Sequence, residues 1–362
     1  MTIKENKKKV GIVTFHDAHN YGALLQAYAL KHKISSLGYD VGFVDAKNEK
    51  LSGKYNIWPT IKTDRSLVVE AKKMVRLLLD FSRKKARYNG FNQFIDKYIN
   101  TDIPNSLDSI VIGSDQVWNF NITGGVDPIY FGEIEGVSTK NVISYAASMG
   151  NGMKPESFTS EFRGKLENLN QVGVREKQLQ ESLADNFGVE SVVTLDPTLL
   201  LTEEEWSEIT PSSKQKKKYV VVYQVVEHPM ANPIVDLIAE KLGLEVIVLT
   251  SKTDHSVSKS HFSTASPDDF LSLFKNAEFV ITSSFHGTAF SIINKVPFYT
   301  MKFGNTVDLR SENLLSSANL LERHISDISE VDLDAVIDFE NAEESLSKVR
   351  EQSVAYLQSS LR

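Results

Sequence analysis

Apolar and polar positions alternate along this chain in a way that predicts strands feeding helices. The apolar run VGIVTF (Val10, Phe15) is followed by a polar loop. An Ala/Leu-rich stretch comes next, with Leu24, Leu25, Tyr28, Ala29 and Leu37 at helical spacing and Gly38 where such a helix would stop. A second apolar run from Val41 to Asp45 completes a strand-helix-strand unit, which requires parallel pairing. A long helical stretch then runs from about Ser66 to Tyr98, with a break expected near Asn89 and Gly90. SIVIGSD, NVISYAAS and QVGVRE each read as a buried strand running into a polar turn, with helices over Phe162 to Leu169 and Lys177 to Leu183. SVVTLDPTLLL closes this half, because Pro197 ends regular pairing.

The series then starts again. PSSKQKKK, between Thr210 and Lys218, is polar, charged and free of apolar anchors, as a linker would be. KYVVVYQV, a helix over Asn232 to Leu242, and EVIVLT form another strand-helix-strand unit. A helix over Pro267 to Lys275, the strand EFVITSS, a helix over Thr288 to Lys295 and VPFYTM follow. The expected fold is α/β, with two doubly wound Rossmann-like domains at 1–209 and 210–331. A helical, acidic tail at 332–362 is expected to fold back on the first domain. In such sheets ligands sit beyond the carboxyl ends of the strands, so the residues there are the candidates.

Composition narrows the chemistry. The formal net charge of -7 argues against nucleic acid as the main partner. With no cysteine, disulfides, thiolate nucleophiles and cysteine-bound metals drop out. No apolar run approaches the roughly 20 residues of a membrane span, and the polar, basic start MTIKENKKK does not read as a secretory signal. The expectation is a cytoplasmic protein. There is no GxGxxG, no Walker loop and no HExxH, and no carboxylate spacing identifies a metal site.

Just past the strands lie His16, Asp17, His19, Asn20, Tyr21 and Gly22; Ser114, Asp115, Gln116 and Trp118; Ser148; Arg175 and Glu176; and Ser283, Ser284, His286 and Gly287. Arg175 ends an apolar strand, so its charge should meet something specific: a ligand, or the neighbouring carboxylate of Glu176. His286-Gly287-Thr288 joins a strand to a helix and offers backbone N–H groups to an anion. The duller readings are a structural histidine at 286, a capping Asp115, a packing Trp118 and a simple Asn-Tyr-Gly turn.

Taken in order, FHDAHNYGALLQAYAL, VIGSDQVWN, ISYAASMG, VGVRE, LDPTLLL and ITSSFHGTAFSIINKVPF resemble the bacterial polysaccharide pyruvyl transferase family, over about Val10 to Arg323. The resemblance implies a glycosyltransferase-B-like domain pair with the cleft between the domains. It also implies phosphoenolpyruvate as donor and a sugar of a cell-surface or lipid-linked glycan as acceptor, with no cofactor and no metal. By position, Arg175 matches the family's donor-binding arginine and His286 its cleft histidine. Characterised branches carry Arg-Leu-His where this chain has Ser-Phe-His, so Ser284 replaces a cation. Arg310, with Lys302 behind it, is the candidate substitute.

Under this reading the donor is held by Arg175, Arg310, Ser284, Gly287 and Thr288. His286 and Asp115 carry the proton transfers, and His16, Asn20, Tyr21 and Gln116 border the acceptor. The segment from Ser66 to Arg87 alternates Leu67, Val68, Met74, Val75, Leu78 and Phe81 with Lys72, Lys73, Arg76, Arg83, Lys84, Lys85 and Arg87. It reads either as a basic amphipathic helix resting on the inner face of the membrane or as a domain helix with a solvated basic face. Two rival functions stay open: a metal-independent nucleotide-sugar glycosyltransferase, and a non-catalytic glycan-binding relative.

Overall fold

Among the described residues, every strand pairing is parallel. The structure, a computed structural model, describes residues 7–44, 67–99, 106–250 and 261–362. The first half runs β1 (Lys9–Val13), α1 (Tyr21–Ser36), β2 (Asp40–Phe43), α2 (Leu67–Phe94), β3 (Ser109–Ile112), α3 (Phe120–Thr123), β4 (Val142–Ser144), α4 (Ser160–Leu166), β5 (Gly173–Val174), α5 (Lys177–Phe187), β6 (Val192–Val193) and α6 (Glu203–Ser207). Its sheet has the order β2-β1-β3-β4. Single bridges at Ile143–Gln171 and Ala147–Val174 carry it on to the β5-β6 pair.

The second half runs β7 (Tyr219–Tyr223), α7 (Ala231–Leu242), β8 (Glu245–Leu249), β9 (His261–Phe262), α8 (Pro267–Lys275), β10 (Phe279–Thr282), α9 (Phe285–Ile293), β11 (Phe298–Met301), α10 (Leu309–Ser317), β12 (His324–Ile325) and α11 (Phe339–Ser360). Its sheet order is β12-β11-β10-β7-β8-β9, the doubly wound order 3-2-1-4-5-6 when counted from β7. Each sheet reverses direction once, between β1 and β3 and between β7 and β10. The chain leaving those four strands forms the walls of one cavity.

The two sheets share a core. One hydrophobic cluster contains Val10, Leu24 and Leu25 from the first half and Phe270, Phe274 and Phe290 from the second. Helix α1 explains the join. Its residues from Tyr21 to Leu30 are all buried, so it is apolar on every side and wedged between the N-terminal sheet and α8 and α9. Trp206 of α6 packs edge-on against Phe290 at 5.0 Å. Helix α11 lies across the N-terminal sheet, where Tyr356 donates to Ser144 O at 2.9 Å and Ser353 Oγ accepts from Leu195 N at 3.0 Å.

Two local expectations are corrected. Helix α2 does not break at Asn89 and Gly90 but continues to Phe94. Gly90 is a contact rather than a breaker: a Cβ there would come within 2.9 Å of Ser266 Cβ, at the cap of α8. Helix α9 begins at Phe285 instead of Thr288, which places His286 and Gly287 inside its first turn.

Candidate functional site

The cavity between the two halves encloses about 220 Å³. Asp17, Asn20, Asp115 and Gln116 enter it from the N-terminal side, and Ser283, Ser284, Phe285, His286 and Arg310 from the C-terminal side. Apart from Tyr223 and Ser311, the rest of its lining is apolar, with Phe15, Ile122, Val225, Val226 and Val307 among it. Valines 225 and 226 are 63% and 42% exposed, so this apolar shelf faces open space.

The C-terminal wall is built around the start of α9. Ser284 is its N-cap by position, yet the Ser284 side chain makes no capping bond. Thr288 N is the first to bond back, to Ser284 O at 2.9 Å. The N–H groups of Phe285, His286 and Gly287 therefore have no acceptor within the helix, and the helix dipole adds positive potential there. Thr288 itself is corrected as a donor ligand. Its N–H is spent inside the helix and its hydroxyl is shared with Thr300 Oγ1 at 2.7 Å.

Two guanidinium groups flank the Phe285 ring, Arg175 at 5.3 Å and Arg310 at 5.9 Å from its centroid. Arg310 lines the cavity, while Arg175 is 6% exposed and lies one layer beneath. Burial, followed by the charge of Arg175, lowers the Arg310 pKa, as expected where two cations share little water. Arg175 Nη2 donates to Ser114 Oγ at 2.5 Å and faces Asp196 Oδ2 at 2.7 Å. Among the described residues, Nε and Nη1 of Arg175 have no partner.

Asp196 is the residue that reading the chain alone passes over. Its carboxylate sits between Arg175 and His286, whose Nε2 is 3.7 Å from Oδ2. Thr198 donates to Asp196 Oδ1 from its N–H at 2.9 Å and its hydroxyl at 2.7 Å. Burial by itself would raise the Asp196 pKa, but Arg175 and His286 overcome it and hold the carboxyl well below its usual range. The signal in the sequence was an aspartate inside the otherwise apolar run LDPTLLL.

Glu176 is not the partner of Arg175. It is 2% exposed and accepts from Ser148 Oγ at 2.5 Å. Burial raises its pKa, opposed by the charge of Arg175 and the bond from Ser148. Asp115, 8% exposed, stands in left-handed backbone at φ 72° and accepts from the Gln116 N–H at 2.9 Å. A non-glycine residue held there is a strained feature of the kind that gathers at functional sites.

The N-terminal loop divides. Asn20 lines the cavity and caps α1 by accepting from Ala23 N at 3.2 Å. Tyr21 and His16 do not line it. Tyr21 is 2% exposed, donates to Ala265 O at 2.8 Å and stacks on Phe270 at 4.9 Å, so it ties the halves together. The His16 ring stacks on Phe43 at 5.0 Å, away from the cavity. Lys302 is exposed and also lies outside the cavity lining. Among the described residues, no group of three or more His, Asp or Glu side chains is placed to hold a metal, and no helix is long and apolar enough to cross a membrane.

A family model for polysaccharide pyruvyl transferase matches residues 20–302, most of the chain. The span includes Asp115, Arg175, Asp196 and His286 and stops before Arg310. No curated protein matches the sequence. Among solved structures, the chain is similar to S. aureus MnaA in a co-structure with UDP, at 11% identity over 96% of this chain and 90% of that one, TM-score 0.47. It is similar to the UDP-GlcNAc 2-epimerase of Methanocaldococcus jannaschii, at 12% identity over 97% and 99%, TM-score 0.47. It is also similar to the glycosyltransferase SnogD of Streptomyces nogalater, at 9% identity over 99% and 100%, TM-score 0.41.

Proposed function

This chain belongs to the polysaccharide pyruvyl transferase family, and from that membership we propose that it moves the pyruvyl group of phosphoenolpyruvate onto two hydroxyls of a glycan sugar as a ketal. One observation carries the donor assignment. Arg310, the open N–H groups at the start of α9 and the unpaired Nε and Nη1 of Arg175 gather around Phe285. A compact dianion or trianion losing its water needs such an array of charge and donors. In this arrangement Arg310 takes over the charge that Ser284 lacks.

The reaction then follows from the cavity lining. A proton drawn from solvent adds to the methylene carbon of the donor, and the adjacent carbon gains oxocarbenium character. One sugar hydroxyl attacks that carbon and gives its proton to Asp115. Phosphate leaves with protonation assisted by His286, and a neighbouring hydroxyl closes the ketal, its proton returning to solvent. Asn20 and Gln116 border the acceptor sugar, which arrives from the cell's own glycan assembly, free or lipid-linked. Charge on the donor is carried by arginines and helix N–H groups.

Phosphate release from phosphoenolpyruvate, measured across galactose-, glucose- and N-acetylhexosamine-ended acceptors, tests this reading. Acceptor-dependent release, lost in His286→Ala and cut at least about 100-fold in Arg310→Ala, is the expected result. Thermal stabilisation by a nucleotide sugar and none by phosphoenolpyruvate would transfer the site to a glycosyltransferase. Stabilisation by a glycan alone would make the chain a binding relative.

A further inference from the structure

We propose that Asp196 is the positioning residue of this site, holding Arg175 and His286 in place for the donor without touching the donor itself; this rests on the donor reading above. The geometry is a three-way junction between the two halves. Arg175 follows β5 and Asp196 follows β6, both in the N-terminal half, while His286 comes from α9 in the C-terminal half. A single carboxylate oxygen, Oδ2, faces both the Arg175 guanidinium and the His286 ring, at 2.7 Å and 3.7 Å. The other oxygen is fixed by two donors of Thr198, in the turn Pro197–Leu200. That turn packs on α1 and α9 through Leu199 and Leu200, so the carboxylate has no freedom to follow a ligand.

Asp196 differs from the other acidic groups around the junction. Asp115 lines the cavity and is free to meet substrate, and Glu176 is engaged by Ser148. The side chain of Asp196 has no exposed surface, and Arg175, His286 and Thr198 stand around its two oxygens. The Arg175 guanidinium is pinned at Nη2 by Asp196 and Ser114, while its Nε and Nη1, on a group 5.3 Å from the Phe285 ring centroid, keep no partner among the described residues. A guanidinium anchored on one nitrogen loses little further freedom when its remaining donors engage an anion. Holding His286 by the same oxygen couples the cation from one half to the proton-transfer group from the other.

An anion placed beside the bound cations has a cost that gives the test its signature. Asp196 partly neutralises Arg175, so it opposes donor binding electrostatically while improving donor placement. Asp196→Asn keeps the shape and removes the charge. The expected result is phosphoenolpyruvate binding at least as tight as in wild type by calorimetry, with kcat for acceptor-dependent phosphate release lowered by about 100-fold. A residue that merely supported the fold would weaken binding and lower Tm together without this split between affinity and kcat.

Thr198→Val serves if the asparagine variant does not fold. It keeps the charge and removes the 2.7 Å hydroxyl donor, and should lower kcat by about tenfold with donor affinity unchanged. Wild-type turnover in Asp196→Asn, or in Thr198→Val should the asparagine variant not fold, overturns the proposal; so does donor affinity lost in step with Tm. Wild-type protein that binds neither phosphoenolpyruvate nor inorganic phosphate removes the donor reading, and this proposal with it. Wild type that binds and turns over beside an unaffected variant removes the Asp196 assignment alone.

Discussion

The ring of His286 rests directly on Gly22: a Cβ built at Gly22 would lie 2.0 Å from His286 Nδ1. The two residues come from opposite halves of the molecule, the first turn of α9 and the first turn of α1. The helix starts therefore meet face to face, and only the absence of a side chain at position 22 lets the histidine ring reach Asp196.

Gly22→Ala should displace that ring. Overpacking at such a contact costs about 1–3 kcal/mol, read as a lowered denaturant midpoint. A shift of the ring by about 1 Å should lower kcat about 100-fold. An alanine variant with wild-type kcat would show that His286 is not placed by this contact.

Tyr21→Phe separates packing from chemistry. The hydroxyl donates to Ala265 O and accepts from Arg87 Nη1 at 2.9 Å, linking α2, α1 and the approach to α8. Removing it leaves buried groups unpaired and should cost about 1–3 kcal/mol of stability, with KM for the acceptor unchanged. A raised acceptor KM at unchanged stability would return Tyr21 to the substrate side.

Glu176 makes a specific pH dependence. Burial raises its folded pKa above the unfolded value, so the folded protein binds this proton more tightly. Its stabilising contribution is complete below the ordinary glutamate pKa of about 4.3 and is lost as pH rises through the raised folded value. Glu176→Gln keeps an acceptor for Ser148 without the titration. Wild type should lose stability relative to this variant as pH climbs from about 4 toward neutrality, seen in denaturant midpoints; a constant difference would contradict the assignment.

Helix α2 carries an apolar surface beside basic charge. Val75, Leu78 and Leu79 are 56%, 68% and 59% exposed, with Lys85 exposed and Lys84 partly so. The side chains of 66–74 and 76–77, which complete the segment, lie outside the described residues. Arg87 does not belong to that basic surface: it is 9% exposed and stacks 4.5 Å from the Phe91 ring centroid. We expect flotation of the protein with anionic vesicles, reduced in Lys84→Glu/Lys85→Glu and in Leu78→Asp. Wild type that stays in the soluble fraction would reduce α2 to a domain helix with a solvated basic side.

What the chain determined by itself was its local periodicity. Runs such as VGIVTF and KYVVVYQV are apolar because strands of a parallel sheet are buried on both faces, and that follows from sequence order. The strand-end residues followed as well, since Asp115, Ser284 and His286 stand where the polar turns begin. The tertiary structure decided which of those residues share a space. Tyr21 sits next to Asn20 in the chain yet turns into the shared core, because α1 is buried on all sides. Asp196 reads as part of an apolar exit strand, and only the meeting of β5, β6 and α9 shows it between a guanidinium and an imidazole. Local pattern is set by short-range backbone geometry. The local contacts of Asp196 with Arg175 and Thr198 are completed by one between residues 90 positions apart, His286 and Asp196, and that one forms only when both sheets pack on α1.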